Sequence, residues 1–166
     1  MSISQTIFRQ YDVRGIVGTD LTAEVAYALG RGYAAYLGTQ NIRGAVAVGR
    51  DNRPSGDLLR DELVRGLTDS GVDVVDVGVV PTPLLYWSLH HEPVVGGIQI
   101  TGSHNPPEYN GFKMCVGTGS MPASAANGVV TGTVFRDFNS DGFMNTSASG
   151  ALPAVDVGVA GVTVKA

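Results

Sequence analysis

Val94-Val-Gly-Gly-Ile-Gln-Ile100 runs straight into Thr101-Gly-Ser-His-Asn-Pro-Pro-Glu-Tyr-Asn-Gly-Phe-Lys113. The first run is short and almost wholly apolar, the pattern of a strand buried on both faces of a parallel sheet. The second puts a single hydroxyl nucleophile, Ser103, in a tight polar turn directly behind that strand. His104, Asn105, two prolines and Lys113 surround it. A polar turn that follows a buried strand marks the carboxyl edge of an α/β sheet, where ligands collect.

The flanking sequence repeats the same grammar. Residues 8–18 read as an opening strand and turn. Leu21 to Leu37 carries apolar side chains at near-helical spacing, with Thr19, Asp20 or Thr22 as N-cap and Gly38 as the stop. Ala45-Val-Ala-Val48 is a second buried-strand run, and residues 49–56 form a polar turn. Residues 57–70 return to helical period and Gly71 closes them. Residues 72–80 read as a strand, 82–91 as a short helix with Pro83 in its first turn, and 110–116 as a strand. Strands alternating with helices imply right-handed βαβ units. The fold expected is a three-layer α/β/α domain with a mostly parallel mixed sheet over residues 1–117. Residues 118–129 read as a Gly/Ser-rich linker. A short Gly/Ala/Val-rich β-like tail follows at 130–166, with strand-like pieces at 131–135 and 159–164.

Composition excludes several classes. Charged residues are 16% of the chain, against roughly a quarter in ordinary domains, and the net charge is −4, so a basic nucleic-acid surface is not expected. The lone Cys115 leaves no disulfide and no cysteine-based zinc site; it reads as a buried strand residue. The start lacks the basic and apolar regions of a secretory leader, and no apolar run reaches the roughly 18 residues of a membrane span. A cytoplasmic location follows as an expectation. His90 and His91 suit the C-terminal end of a helix dipole, and Tyr86 and Trp87 read as core or domain-contact aromatics.

Three polar loops follow strands and fall on one rim: Gly49-Arg-Asp-Asn-Arg-Pro-Ser-Gly56, Val80-Pro-Thr-Pro83 and the Ser103 loop. Arg14, Arg50, Arg53 and Lys113 supply cations near it, which suits a phosphate or phosphosugar. Each has a plainer reading. Ser103 and Asn105 are also turn formers, Arg14 is also a candidate for an ion pair, and Arg50 and Arg53 for loop salt bridges to Asp51 or Asp57. Lys113 reads equally as a solvated strand residue and His104 as a turn residue. No Gly-x-Ser-x-Gly motif is present, which disfavours an α/β-hydrolase.

Phe8-Arg-Gln-Tyr-Asp-Val-Arg-Gly15 together with the Thr101–Lys113 run resembles the α-D-phosphohexomutase family, in its bacterial phosphomannomutase/phosphoglucomutase branch, over about residues 5–117. The resemblance implies that Ser103 is the phosphoserine, which donates phosphoryl to a hexose phosphate and reclaims it from a bisphosphate intermediate. It implies that Arg14 and Lys113 neutralise the moving phosphoryl or assist proton transfer. Tyr11, His104 and Asn105 would shape the loop; Tyr11 and Asn105 stand with Arg50 and Arg53 as candidate substrate- or phosphate-binding residues. The implied cofactors are Mg²⁺, held in part by the Ser103 phosphoryl oxygen, and an activator of the glucose 1,6-bisphosphate type. The implied partners are the hexose phosphate and three further domains carrying an Asp-rich metal loop and the sugar-binding loops. The 166-residue chain by itself is expected to show no appreciable turnover.

The tail reads differently. Gly132-Thr-Val-Phe-Arg-Asp-Phe-Asn-Ser-Asp-Gly142 resembles the opening of an Sdr B-type repeat of bacterial surface adhesins, a calcium-binding extracellular module. Asp137, Asn139 and Asp141 alternate as oxygen ligands for Ca²⁺ would; an Asx-rich hairpin turn explains the same spacing. Two further readings of the whole stand beside the mutase: a calcium-binding structural module, and a sugar-phosphate-binding domain without turnover.

Overall fold

Val94–Ile100 is a strand with the expected bounds, and it lies at the centre of the sheet. The structure, a computed structural model, describes residues 3–9, 12–121, 135–136 and 157–158. In chain order the elements are β1 (Val13–Ile16), α1 (Ala23–Thr39), β2 (Ala45–Arg50), α2 (Gly56–Thr68), β3 (Val74–Val79), α3 (Thr82–His91), β4 (Val94–Ile100), β5 (Tyr109–Val116) and β6 (Gly119–Ser120), with a short 3-10 helix at Gln5–Ile7 before them. The strand order is β1-β5-β4-β2-β3, with β6 beside β5. The pairs β2–β3 and β2–β4 are parallel, and β5 is antiparallel to β1, β4 and β6. The sheet is therefore mixed in one specific way: β5 alone runs against the rest.

Helices cover both faces, as the doubly apolar strands require. On one side Val46, Val48, Ile98, Ile100, Phe112 and Met114 pack with Leu29, Tyr33, Leu59, Leu63 and Leu67 of α1 and α2, all buried. On the other, Ala47 and Cys115 pack with Leu85 and Leu89 of α3. The α1–α2 crossing depends on two glycines. A Cβ at Gly30 would lie 2.3 Å from the Leu63 carbonyl, and one at Gly66 would lie 2.2 Å from the Tyr27 carbonyl. The helices thus approach backbone to backbone. At full burial, the Tyr33 hydroxyl donates to the Cys115 carbonyl, which satisfies the one polar atom that ring carries into the core.

Several boundaries differ from those read in the sequence. Gly38 lies inside α1, which is capped at its start by the Thr22 hydroxyl accepting from Val25 N and runs to Thr39. The left-handed residue that turns the chain is Asn41, at φ 55°, where Asn is tolerated. Gly71, at φ 78°, does close α2 as expected. Gly49 and Arg50 belong to β2, because the parallel ladder to β3 and β4 continues through them. Past residue 117, β6 pairs with Cys115 and Val116 of β5, and Met121 is buried in the main core. In the tail, Phe135–Arg136 (β7) pairs antiparallel with Val157–Gly158 (β8). The calcium candidates Asp137, Asn139 and Asp141 lie outside the described residues, as does Tyr11.

Candidate active site

The three parallel strands β2, β3 and β4 end together, so the loops after Arg50, Val79 and Ile100 share one rim. Gln99, fully buried, donates from Nε2 to the Val80 carbonyl and ties two of those loops' strands together. The serine loop leaves β4 through Thr101 and Gly102 and turns back at Asn105, whose N–H donates to the Gly102 carbonyl (3.0 Å). Ser103 stands at the exposed tip of this turn with φ 52°. For a non-glycine residue the left-handed region costs about 1–2 kcal/mol, and such strain persists only where the surroundings enforce it. His104, next to it, is exposed, and Asn105 is half-buried.

Asp51 and Arg53 supply that enforcement from the neighbouring loop. Asp51 Oδ2 accepts from the Thr101 hydroxyl (2.8 Å) and from Gly102 N (3.2 Å), and the Thr101 oxygen accepts from Ser103 N (2.9 Å). The Arg53 guanidinium spends all of its donors in the same place. Nη1 donates to the carbonyls of Pro106 (2.6 Å) and Tyr109 (2.8 Å), Nη2 to those of Ser103 (3.2 Å) and Asn105 (2.7 Å), and Nε to Asp51 (3.2 Å). A guanidinium has five N–H groups, so none is left for a phosphate. Arg53 thus takes up the loop salt bridge to Asp51 that stood beside its phosphate-ligand reading. Arg50 likewise pairs with a carboxylate, its Nε meeting Asp57 Oδ1 at 2.7 Å. The same carboxylate network includes Arg60 and Asp76.

Arg14 reaches the serine loop directly, and Lys113 is linked to Arg14 through Asp12. Strand alternation sends Val13 and Phe112, which are register partners, into the core, and so sends Asp12, Arg14 and Lys113 to the opposite face. Arg14 Nη1 donates to the carbonyl of Gly102, the residue before Ser103 (2.7 Å). Its Nη2 pairs with Asp12 Oδ2, and Lys113 Nζ donates to the same oxygen (3.0 Å). One carboxylate thus spaces two cations beside the turn. Arg14, unlike Arg53, has only two of its five N–H groups engaged among the described residues. A cleft of about 430 Å³ opens against it, lined by Arg9, Arg14, Asn105, Pro106 and Tyr109. Tyr86 of α3 stands on the same side; burial pushes its phenol up, with the Cys115 and Asp12 charges adding to it.

A family model described as phosphoglucomutase/phosphomannomutase, alpha/beta/alpha domain I, matches residues 5–139. The chain belongs to this family. The phosphoglucomutase of Neisseria gonorrhoeae is 42% identical over 156 residues, which cover 94% of this chain and 33% of that protein. The phosphomannomutase/phosphoglucomutase of Pseudomonas aeruginosa is 50% identical over 118 residues, 69% of this chain and 25% of its own length. A crystal structure of a phosphoglucomutase/phosphomannomutase family protein from Burkholderia thailandensis superposes with a TM-score of 0.72 at 43% identity, covering 76% of this chain and 29% of that one. The chain therefore spans about a third of the length of the curated relatives it matches most fully. The family match passes the expected boundary at 117 and takes in Asp137 and Asn139.

Asp12, Asp51 and Arg9 escaped the sequence reading as site residues. Asp12 and Arg9 stand inside the quoted Phe8–Gly15 run, so position alone flagged them. In sequence Asp51 suggests only a salt-bridge partner, because its hydrogen bonds to Thr101 and Gly102 cross between two loops. Among the described residues no group of three or more His, Cys, Asp or Glu side chains converges as a metal site. No helix among them is long and apolar enough to cross a membrane.

Proposed function

We propose that this domain carries the phosphoryl-bearing serine of a phosphohexomutase, an enzyme that interconverts hexose 6-phosphate and hexose 1-phosphate. The observation that carries the reading is Ser103 itself: an exposed hydroxyl held at φ 52° at the carboxyl edge of the sheet, with Arg14 bonded to the preceding carbonyl. In the reaction the Ser103 Oγ–P bond breaks as a sugar hydroxyl oxygen bonds to phosphorus, and the hydroxyl proton leaves to a base. The bisphosphate then returns its other phosphoryl group to Ser103 Oγ. Arg14 offsets charge on the transferred group. Lys113, held by Asp12, supplies a second cation or handles the proton. His104 shapes the turn, and Asn105 lines the cleft. This is the positioning and charge neutralisation that phosphoryl transfer demands.

The family resemblance also implies Mg²⁺. The described residues do not fit it on their own, because Mg²⁺ wants a near-octahedral oxygen shell with carboxylates and no acidic cluster stands at the rim. Ser103 offers one oxygen at most, and no step is assigned to the ion. The test is intact-mass analysis after incubation with glucose 1,6-bisphosphate. Gain of one phosphoryl group, located at Ser103 by peptide mapping and absent in Ser103→Ala, supports the reading. Labelling at another residue, or equal labelling in Ser103→Ala, refutes it.

A further inference from the structure

We infer that Arg53 is a positioning residue for the phosphoryl-bearing serine, acting as a guanidinium clasp that builds the strained turn before any ligand arrives. The inference rests on the reading of Ser103 as the phosphoryl carrier. The geometry is specific to this cation. Four carbonyls, those of Ser103, Asn105, Pro106 and Tyr109, converge on two terminal nitrogens, and Asp51 takes the Nε proton. Carbonyls aimed inward at one point repel one another, and only a planar cation with divergent N–H groups satisfies them all. A lysine ammonium carries three donors and no fork.

The space for the clasp is provided by Gly102. A Cβ there would sit 2.3 Å from Arg53 Cζ, so the guanidinium lies directly under the residue preceding Ser103. Arg53 is itself fixed from below: its N–H donates to Asp51 Oδ1 (3.1 Å), and the other oxygen of that carboxylate holds Thr101 and Gly102. Its side chain is only 13% exposed. The turn is thus gripped from two sides: Asp51 takes the Gly102 N–H directly and the Ser103 N–H through the Thr101 hydroxyl, and Arg53 takes the carbonyls. Ser103 keeps φ 52° because both its amide and its carbonyl are held.

The experiment compares the 166-residue chain with Arg53→Ala and Arg53→Lys in two measurements. One is amide hydrogen exchange at Ser103, Asn105 and Tyr109, whose N–H groups are all hydrogen-bonded inside the loop. The other is the rate at which Ser103 takes up phosphoryl from glucose 1,6-bisphosphate. In Arg53→Ala the three loop amides are expected to exchange at least about 10-fold faster, from the loss of hydrogen bonds to a charged group, while α1 and α2 amides stay protected. Uptake is expected to fall about 100-fold, the cost of a displacement of about 1 Å. Millimolar guanidinium restores both in Arg53→Ala and methylammonium restores neither; Arg53→Lys stays impaired. Unchanged loop amides in Arg53→Ala, no guanidinium rescue, a wild-type-like Arg53→Lys, or loss of protection throughout the domain in both variants overturns the inference. Should the parent chain take up no phosphoryl at Ser103, the phosphoserine reading fails, while loop exchange and its rescue still decide the clasp.

Discussion

Replacing Asp12 by Asn keeps the side chain's shape and removes the one negative charge between Arg14 and Lys113. Both cations bond the same Oδ2, Lys113 Nζ at 3.0 Å, so they stand within about 6 Å of each other. At an effective dielectric of about 20, two like charges at that separation repel by about 3 kcal/mol. Arg14 is 13% exposed and Lys113 25%, so solvent absorbs part of this, and the Asn oxygen retains about half the strength of each bond. The net loss expected is about 2 kcal/mol of domain stability. Urea unfolding followed by circular dichroism measures it in the parent, Asp12→Asn, Lys113→Met and the double variant. The shared carboxylate predicts coupling: with Lys113 gone, Asp12→Asn costs about 1 kcal/mol less. It also predicts a smaller deficit in 1 M NaCl, where the Debye length shrinks to about 3 Å. An Asp12→Asn deficit that is the same with and without Lys113, and the same at low and high salt, refutes the triad.

Gly30→Ala forces a methyl to 2.3 Å from the Leu63 carbonyl, and calorimetry should show a loss of about 2–3 kcal/mol as α1 and α2 are driven apart; Gly38→Ala, in the same helix with open space around it, is the unhindered control, expected to gain up to about 1 kcal/mol. Gly102→Ala pushes into the Arg53 guanidinium and is expected to speed exchange of the Ser103 amide without melting the core, read by the same hydrogen-exchange measurement. Burial raises the Tyr33 phenol above its ordinary value of 10.0, with Cys115 and Tyr36 adding. The folded chain therefore holds that proton more tightly than the unfolded one, so the contribution is complete below pH 10 and is lost as pH climbs above it. Tyr33→Phe should lower neutral stability by about 1–2 kcal/mol, since the Cys115 carbonyl loses its donor, and should flatten the decline in unfolding free energy above pH 10.

The buried strand at 94–100 and the helix at 82–91 were legible in sequence because local signals bound them. An apolar run ends at a polar turn in the first, and Pro83 opens and Pro93 follows the second. Asn41 was missed because Gly38 offered a more obvious stop, and α1 continues past it while Tyr36 and Leu37 still pack against the core. The short strand β6 was not legible because Gly117-Thr-Gly-Ser120 has linker composition, and its backbone pairs with Cys115 and Val116 only once β5 is in place.

By itself the sequence determined the layer order, the serine at the carboxyl edge of the sheet, and the family, since these follow from hydrophobic period and from residues adjacent in the chain. Tertiary structure alone decided what each arginine does. Arg14, Arg50 and Arg53 are the same cation in sequence. Folding brings Arg14 to Gly102, turns Arg50 to Asp57, and lays Arg53 against carbonyls of the serine loop. The partners of Arg14 and Arg53 in that loop lie far along the chain, and the direction of a hydrogen bond depends on where those loops meet in space.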